Sequence, residues 1–409
     1  MPVINAGDTA WMLVSTAMVM FMTPGLAFFY GGMVRRKNTL STIMMSFMTL
    51  GVIGVAWVLF GYSLAFGTGG GGFIGGFNYL FLNNVGQDPS PVYASTVPHL
   101  TFAAYQMMFA IITVALITGA VVERVKFSAM VVFALVWFVL VYTPVAHWVW
   151  STDGWLLKLG ALDFAGGTVV HITAGVSAFS LAWLLGPRKD FSDGTPMAPA
   201  NVPFVVIGAS ILWFGWFGFN GGSALSSGGL ASSAFITTNI AAAAAALTWM
   251  LISWFYHRPT LTGIATGAVA GLVAITPAAG FVSPILAIPI GIGVSVICFY
   301  VMRLRSRSKT DDSLDVFACH GMGGSWGAIA TGIFASTAVN TAGADGLIHG
   351  GWALIGKQLL AVAVVWVFAF GMTWIIGKII DKTMGLRVST TEESLGLDIS
   401  QHGETAYGN

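Results

Sequence analysis

Eleven apolar runs follow one another along the chain, each close to or above the roughly 20 residues that a helix needs to cross hydrocarbon. They lie at 9–33, 39–66, 100–122, 127–150, 164–185, 202–222, 232–256, 261–278, 284–303, 316–335 and 353–380. Lipid offers no water to backbone N–H and C=O groups, so runs of this length span as helices. Composition agrees. Hydrophobic residues make up 56% of the 409 residues and charged residues 8%, against about 25% charged in a soluble domain. The expected fold is an all-α integral membrane protein with eleven transmembrane helices. Alanine and glycine are dense in the later runs, as at 241–246. Small residues of that kind let helices approach closely.

Charge and cysteine close off other classes. The net charge of +1 argues against a nucleic acid or a bulk acidic partner. Cys298 and Cys319 both lie in apolar runs, with no disulfide framework and no metal spacing. No metal and no cofactor are expected. Cys319 adjoins His320 and is expected near a cavity. The run after Asp8 is too long for a signal peptide and has no basic lead, so it reads as the first span.

Basic residues set the orientation. Alternate loops and the tail hold Arg35, Arg36, Lys37, Arg124, Lys126, Arg188, Lys189, Arg258, Arg303, Arg305, Arg307, Lys309, Lys378, Lys382 and Arg387. The opposite loops hold only Lys158 and Lys357. The N-terminus is therefore expected outside and the C-terminus in the cytoplasm. The outer segment 67–98, rich in Gly and Asn, reads as a loop with a short helix around 76–83. Residues 1–384 form the membrane domain. Residues 385–409 form a polar cytoplasmic tail, which composition alone would leave in solvent.

Two stretches put ionisable groups where hydrocarbon should be. Asp163-Phe-Ala-Gly-Gly-Thr-Val-Val-His171 opens the fifth run, and Asp315-Val-Phe-Ala-Cys-His320 opens the tenth. Intramembrane ionisable residues mark pathways by default. Gly175 and Gly324 each follow their histidine by four positions. The fifth run starts outside and the tenth inside. Such a pair is the sign of a 5+5 inverted repeat, with the site between the halves and an added C-terminal helix. His171 lies about 12 Å inside its helix and His320 about 7 Å inside its own, so both reach the central region. A touching imidazole pair titrates as a unit. It suits either a proton relay or the binding of a small polar molecule. Asp163 and Asp315 are expected to cap free N–H groups at their helix starts. At the outer mouth, Asp163 would also favour a cation.

Aromatics supply the remaining signal. Phe109 follows Tyr105 and Gln106, and Trp148 and Trp150 end the fourth run. The sixth run ends Trp213-Phe-Gly-Trp216-Phe-Gly-Phe219-Asn-Gly-Gly-Ser223. Aromatic faces attract a small cation, and a serine hydroxyl can accept a hydrogen bond from it.

On these stretches the chain resembles the ammonium transporter (Amt/Mep/Rh) family, of the bacterial or archaeal Amt type. Further matching motifs are Phe28-Phe-Tyr-Gly-Gly32, Gly119-Ala-Val-Val-Glu-Arg124 and Gly215–Ser223. In the tail they are Gly385-Leu-Arg-Val-Ser389, Gly396-Leu-Asp398, His402-Gly-Glu404 and Ala406-Tyr407. The resemblance implies an outer ammonium-binding site of Phe109, Trp150 and Ser223, with Trp216 beside it and Asp163 nearby. It implies a gate of stacked Phe109 and Phe219, and a pore lined by the twin histidines His171 and His320. It further implies a homotrimer in the cytoplasmic (inner) membrane and a tail on which a PII-type signal protein docks. The function implied is ammonium transport: the ion is captured outside and deprotonated. Ammonia then passes through the pore while the proton moves separately, so transport is electrogenic. The alternative within the family is an ammonium sensor that signals to a PII-type protein. An intramembrane hydrolase is disfavoured, because Asp163 and His171 are eight residues apart and cannot form a direct dyad. No enzyme activity is expected.

Overall fold

The computed structural model describes residues 3–192 and 197–407. Each of the eleven apolar runs is helical in it. In chain order these are α1 (Ala6–Met33), α2 (Arg36–Phe66), α3 (His99–Thr118), α4 (127–150), α5 (Gly167–Leu185) and α6 (Val202–Gly221). They continue as α7 (Gly229–Trp254), α8 (Leu261–Ile275), α9 (Pro284–Arg305), α10 (317–334) and α11 (Trp352–Met384). Among the described residues, nine helices have the length and apolarity to cross a membrane. The two that fall short are α8 and α10, and both border the inner cavity described below.

Glycine sets how closely the helices pack. A Cβ on Gly208 of α6 would stand 2.3 Å from the Phe29 backbone nitrogen of α1. No side chain fits there, so the two helices meet backbone to backbone. Between α5 and α10 the arrangement is reciprocal. Gly175 lies against the backbone of His320 and Gly321, and Gly324 lies against Gly167 and the His171 side chain. The two glycines that each follow a histidine by four residues are thus what lets the histidine-bearing helices close on each other.

Two connecting regions differ from the sequence reading. In the segment 67–98 the expected helix is reduced to one tight turn, Leu80–Leu82. Phe81 and Leu82 there take left-handed backbones, φ 58° and 56°, which break helical continuity. Pro89–Ser90 and Ala94–Pro98 form a short antiparallel pair in the same loop. The tail is not left in solvent. The Lys126 N–H donates to Leu386 O (2.8 Å), and the Val388 N–H donates to Arg124 O (3.0 Å). A short helix, α12 (Thr390–Leu395), is closed at its start by a reciprocal Ser389–Glu392 capping box. Asp398 accepts the Leu40 and Ser41 N–H groups (3.1 and 2.8 Å) and so caps the start of α2 from the far end of the chain.

Beneath the tail lies a buried ionic cluster. Glu123 accepts from Arg35, Asn38 and Arg188, and Asp311 accepts from the backbone and guanidinium of Arg188. Burial alone would raise the Glu123 carboxyl, but Arg188 and Arg35 beside it bring it down to about 2. Arg188 follows α5 and Asp311 precedes α10, so one guanidinium ties the two histidine-bearing helices at this end.

Candidate functional site

Each histidine sits on a helical turn that is wider than an α-turn. In α5 the turn is Gly167–Ile172, where the His171 N–H reaches back five residues to Gly166 O (3.0 Å). In α10 it is Phe317–Met322. Wide π-turns of this kind cost hydrogen-bond geometry and recur at functional positions. They bring the two imidazoles together, with Nδ1 to Nδ1 at 3.2 Å and ring centroids 5.3 Å apart. Both rings are buried, and the His171 Nε2 has no partner among the described residues.

An acid shapes each turn. The Asp163 carboxylate accepts four backbone N–H groups, from Gly166, Gly167, Thr168 and Val169, at 2.6–3.1 Å. In α10 that task falls to Asp312, which accepts from Val316 (3.1 Å) and Phe317 (2.7 Å). Asp315, expected as the cap, instead forms a two-pronged ion pair with Arg305 at 2.7 and 3.1 Å. The reason is the local backbone. Asp315 is left-handed (φ 56°) and lacks the extended conformation of a capping residue, and its carboxylate is turned to Arg305. The spacing that repeats is eight residues, from Asp163 to His171 and from Asp312 to His320.

Above the histidines lie two phenyl rings and an outer pocket. Phe109 and Phe219 stack with centroids 4.3 Å apart and planes tilted by 39°. Phe109 also meets Trp150 edge-on at 5.7 Å. The pocket, about 210 Å³, is lined by Phe109, Trp150 and Ser223, with Phe102, Gln106 and Tyr93 around them. Ser223 donates to Phe219 O (2.8 Å), and its oxygen stands 3.2 Å from the Tyr105 hydroxyl. The Tyr105 hydroxyl also bonds the carbonyls of Gly218 and Phe219 (2.9 and 2.7 Å) and holds the end of α6 in place. Asp163 is not in the pocket wall. Its carboxylate is taken up by the backbone, and it serves the pocket through its own carbonyl, which accepts Trp150 Nε1 (3.1 Å).

Below the phenyl pair a second cavity of about 430 Å³ runs from Phe219, His171 and His320 to Arg303, Arg305 and Asp315. Trp216, expected beside the outer site, lines this inner cavity and stacks on His171 at 5.4 Å. It precedes Ser223 by seven residues, about 10 Å along the helix, which carries it past the gate level. Its Nε1 donates to Thr276 (2.8 Å). Cys319 borders the inner cavity beside His320, as expected. Sequence reasoning missed Asp312, Thr276 and the anchoring role of Tyr105. The repeated eight-residue spacing was the available signal for Asp312.

Three comparisons fit this geometry. The model of the Ammonium Transporter Family matches residues 10–407. An ammonium transporter of Bacillus subtilis is 52% identical over 403 residues, covering 98% of each chain. The crystal structure of Saccharomyces cerevisiae Mep2 superposes with a TM-score of 0.89 at 38% identity, covering 95% of this chain and 91% of that one. A structure titled "Sensor Amt Protein" is also similar, with a TM-score of 0.88 at 29% identity and 97% of this chain covered. The chain is a multi-pass membrane protein and belongs to the ammonium transporter family, whose members are transporters and not enzymes.

Proposed function

We propose that this protein carries ammonium across the cytoplasmic membrane by separating the ion into ammonia and a proton. The observation that carries this reading is the order of the parts: aromatic pocket, stacked phenyl pair, touching histidines, inner cavity. A bare cation in an apolar passage faces a large desolvation cost. At the outer pocket the faces of Phe109 and Trp150 and the Ser223 oxygen offset part of that cost. Past the rings of Phe109 and Phe219 the cheaper species is neutral ammonia. The proton then travels over His171 and His320, so transport is electrogenic. Potassium has no proton to give up and is excluded.

Eleven spans in a 5+5 inverted repeat, with the N-terminus outside and the C-terminus inside, belong to the same reading. Its support is that the tail, the ionic cluster and the mouth of the inner cavity all lie among the loops richest in Lys and Arg. We assign the protein to a homotrimer with one pore per chain, and the tail 385–409 to regulation, with a PII-type protein as its partner.

The test is electrical recording from purified protein in liposomes, with ammonium against potassium. The wild type is expected to give ammonium currents and none with potassium. The His171→Asp/His320→Glu double variant is expected to lose ammonium current or to admit potassium. Unchanged selective ammonium currents in that variant would end the relay reading. The similarity to a sensor gives a second reading, in which the same site binds ammonium and signals. A pure sensor would bind ammonium and show no current.

A further inference from the structure

We propose that Asp315, paired with Arg305, is the station at the inner mouth that takes the proton from the histidine pair and hands it to the cytosol. This rests on the reading above, in which proton and ammonia travel apart. That reading assigns a proton to His320 and names nothing to receive it.

Three observations place the receiver. First, Asp315 is not used structurally as Asp163 is. Asp312 already holds the helix N–H groups, and among the described residues the Asp315 carboxylate takes no backbone N–H and pairs with Arg305. Second, its backbone is left-handed, φ 56°, a conformation that non-glycine residues adopt at a cost. The turn closed by the Asp315 N–H on Asp312 O (3.3 Å) puts the residue there, and its side chain meets Arg305 of α9. Third, Asp315 and Arg305 line the same 430 Å³ cavity as His320, with room for a chain of waters between them.

The charge surroundings suit a group that gains and loses a proton. Asp312 and Asp311 lie on its own segment, and Arg305 and Arg303 come from α9. His257, Tyr30 and Cys319 complete the titratable wall of the cavity. Burial pushes the Asp315 carboxyl up, against the pull of Arg305 and with repulsion from Asp312, to about 7. In the step itself, protonated His320 loses a proton through water and returns to neutral imidazole. The carboxylate becomes a carboxylic acid. The acid then releases the proton to cytosolic water, where arriving ammonia takes it up as ammonium. Arg305 holds the carboxylate in place and limits how tightly it keeps the proton.

The experiment records ammonium currents in liposomes while the pH on the inner side is lowered through about 7. Wild-type current is expected to fall across that range as Asp315 becomes protonated. Asp315→Asn should reduce the current by about a hundredfold and abolish the dependence on inner pH, and Asp315→Glu should restore both. The Asp315→Asn/Arg305→Met variant removes both charges together, so no unpaired guanidinium is left to block the mouth or unfold the chain. It should behave as Asp315→Asn does. Wild-type current and pH dependence in that double variant, with current lost in His320→Ala, would overturn the proposal and leave the relay reading standing. A reduced current that keeps the wild-type pH dependence would also overturn it, because a purely structural latch predicts that result. Wild-type ammonium current in both Asp315→Asn and His320→Ala would overturn the relay reading itself.

Discussion

The turn before His171 and the turn before His320 solve one problem with different means. Asp163 accepts four backbone N–H groups, and among the described residues it has no ion-pair partner. Asp312 accepts two and sits between Asp311 and Asp315, within the field of Arg305. One half of the site therefore hangs on a single carboxylate. The other spreads the task over a charged cluster, which leaves Asp315 for other work. The lesson is that matching geometry around two histidines does not mean matching function in the acids that precede them.

This contrast gives the largest expected effect. Hydrogen bonds to a charged acceptor contribute about 1.5–3 kcal/mol each. Even with strong non-additivity, Asp163→Ala should cost more than about 4 kcal/mol. We expect loss of ammonium flux and a large drop in thermal stability in detergent. Asp312→Ala loses two such bonds but also removes repulsion from its acidic neighbours. Its cost should be about half as large, with folded protein recovered. Equal damage from the two variants would break the comparison.

The halves are also tied unequally at their two ends. Arg188 bridges Glu123 and Asp311 at one end, whereas at the other the described residues show no ion pair across and the join is made by hydrogen bonds such as Phe164 N–H to Pro277 O (3.2 Å). The Glu123 carboxyl is depressed from an ordinary 4.5 to about 2. A depressed acid contributes stability that is present above its unfolded value and lost as pH falls toward its folded one. The contribution is about 3 kcal/mol at neutral pH. The Glu123 contribution, read as the stability difference between wild type and Glu123→Gln, should thus be constant down to about pH 5 and shrink below it. Glu123→Gln should lower stability at neutral pH by a similar amount and flatten the acid limb. A variant that leaves the acid limb unchanged would show that Glu123 does not tie the halves.

Much of this was legible in the residues, for physical reasons that also mark where legibility ends. Long apolar runs must be helices in lipid, so the helical character of these stretches was visible without any tertiary knowledge. The histidines stood out because a titratable group at that depth is expensive. Tertiary pairing was less accessible. Asp315 looked like the partner of Asp163 because it is the nearest acid before its helix. Its left-handed backbone and its pairing with Arg305 leave the cap to Asp312, and neither can be read from local sequence. Trp216 was assigned to the outer site because it shares a motif with Ser223, although two helical turns carry it below the phenyl pair. The tail looked solvated by composition. Its polar groups are spent on caps such as that of Asp398 on α2, which no local pattern reveals.

The smallest expected effect distinguishes the two glycines that let α5 and α10 meet. A Cβ on Gly175 would lie 2.0 Å from the Gly321 nitrogen and 2.5 Å from its Cα, backbone atoms that cannot turn aside. A Cβ on Gly324 would lie 3.0 Å from Gly167 O and 3.0 Å from the His171 Cβ, which a shift of a few tenths of an ångström relieves. Overpacking of the first kind costs about 1–3 kcal/mol and forces the helices apart at the level of the imidazoles. Gly175→Ala should therefore stretch the 3.2 Å contact between His171 and His320 and reduce ammonium current more than it reduces thermal stability. Gly324→Ala should keep most of its current. Both variants are read by the same liposome recording and the same melting curve. Equal currents would mean that α10 can slide as a unit to relieve the clash. The 3.2 Å spacing would then be set by the wide turns alone and not by the glycine contact.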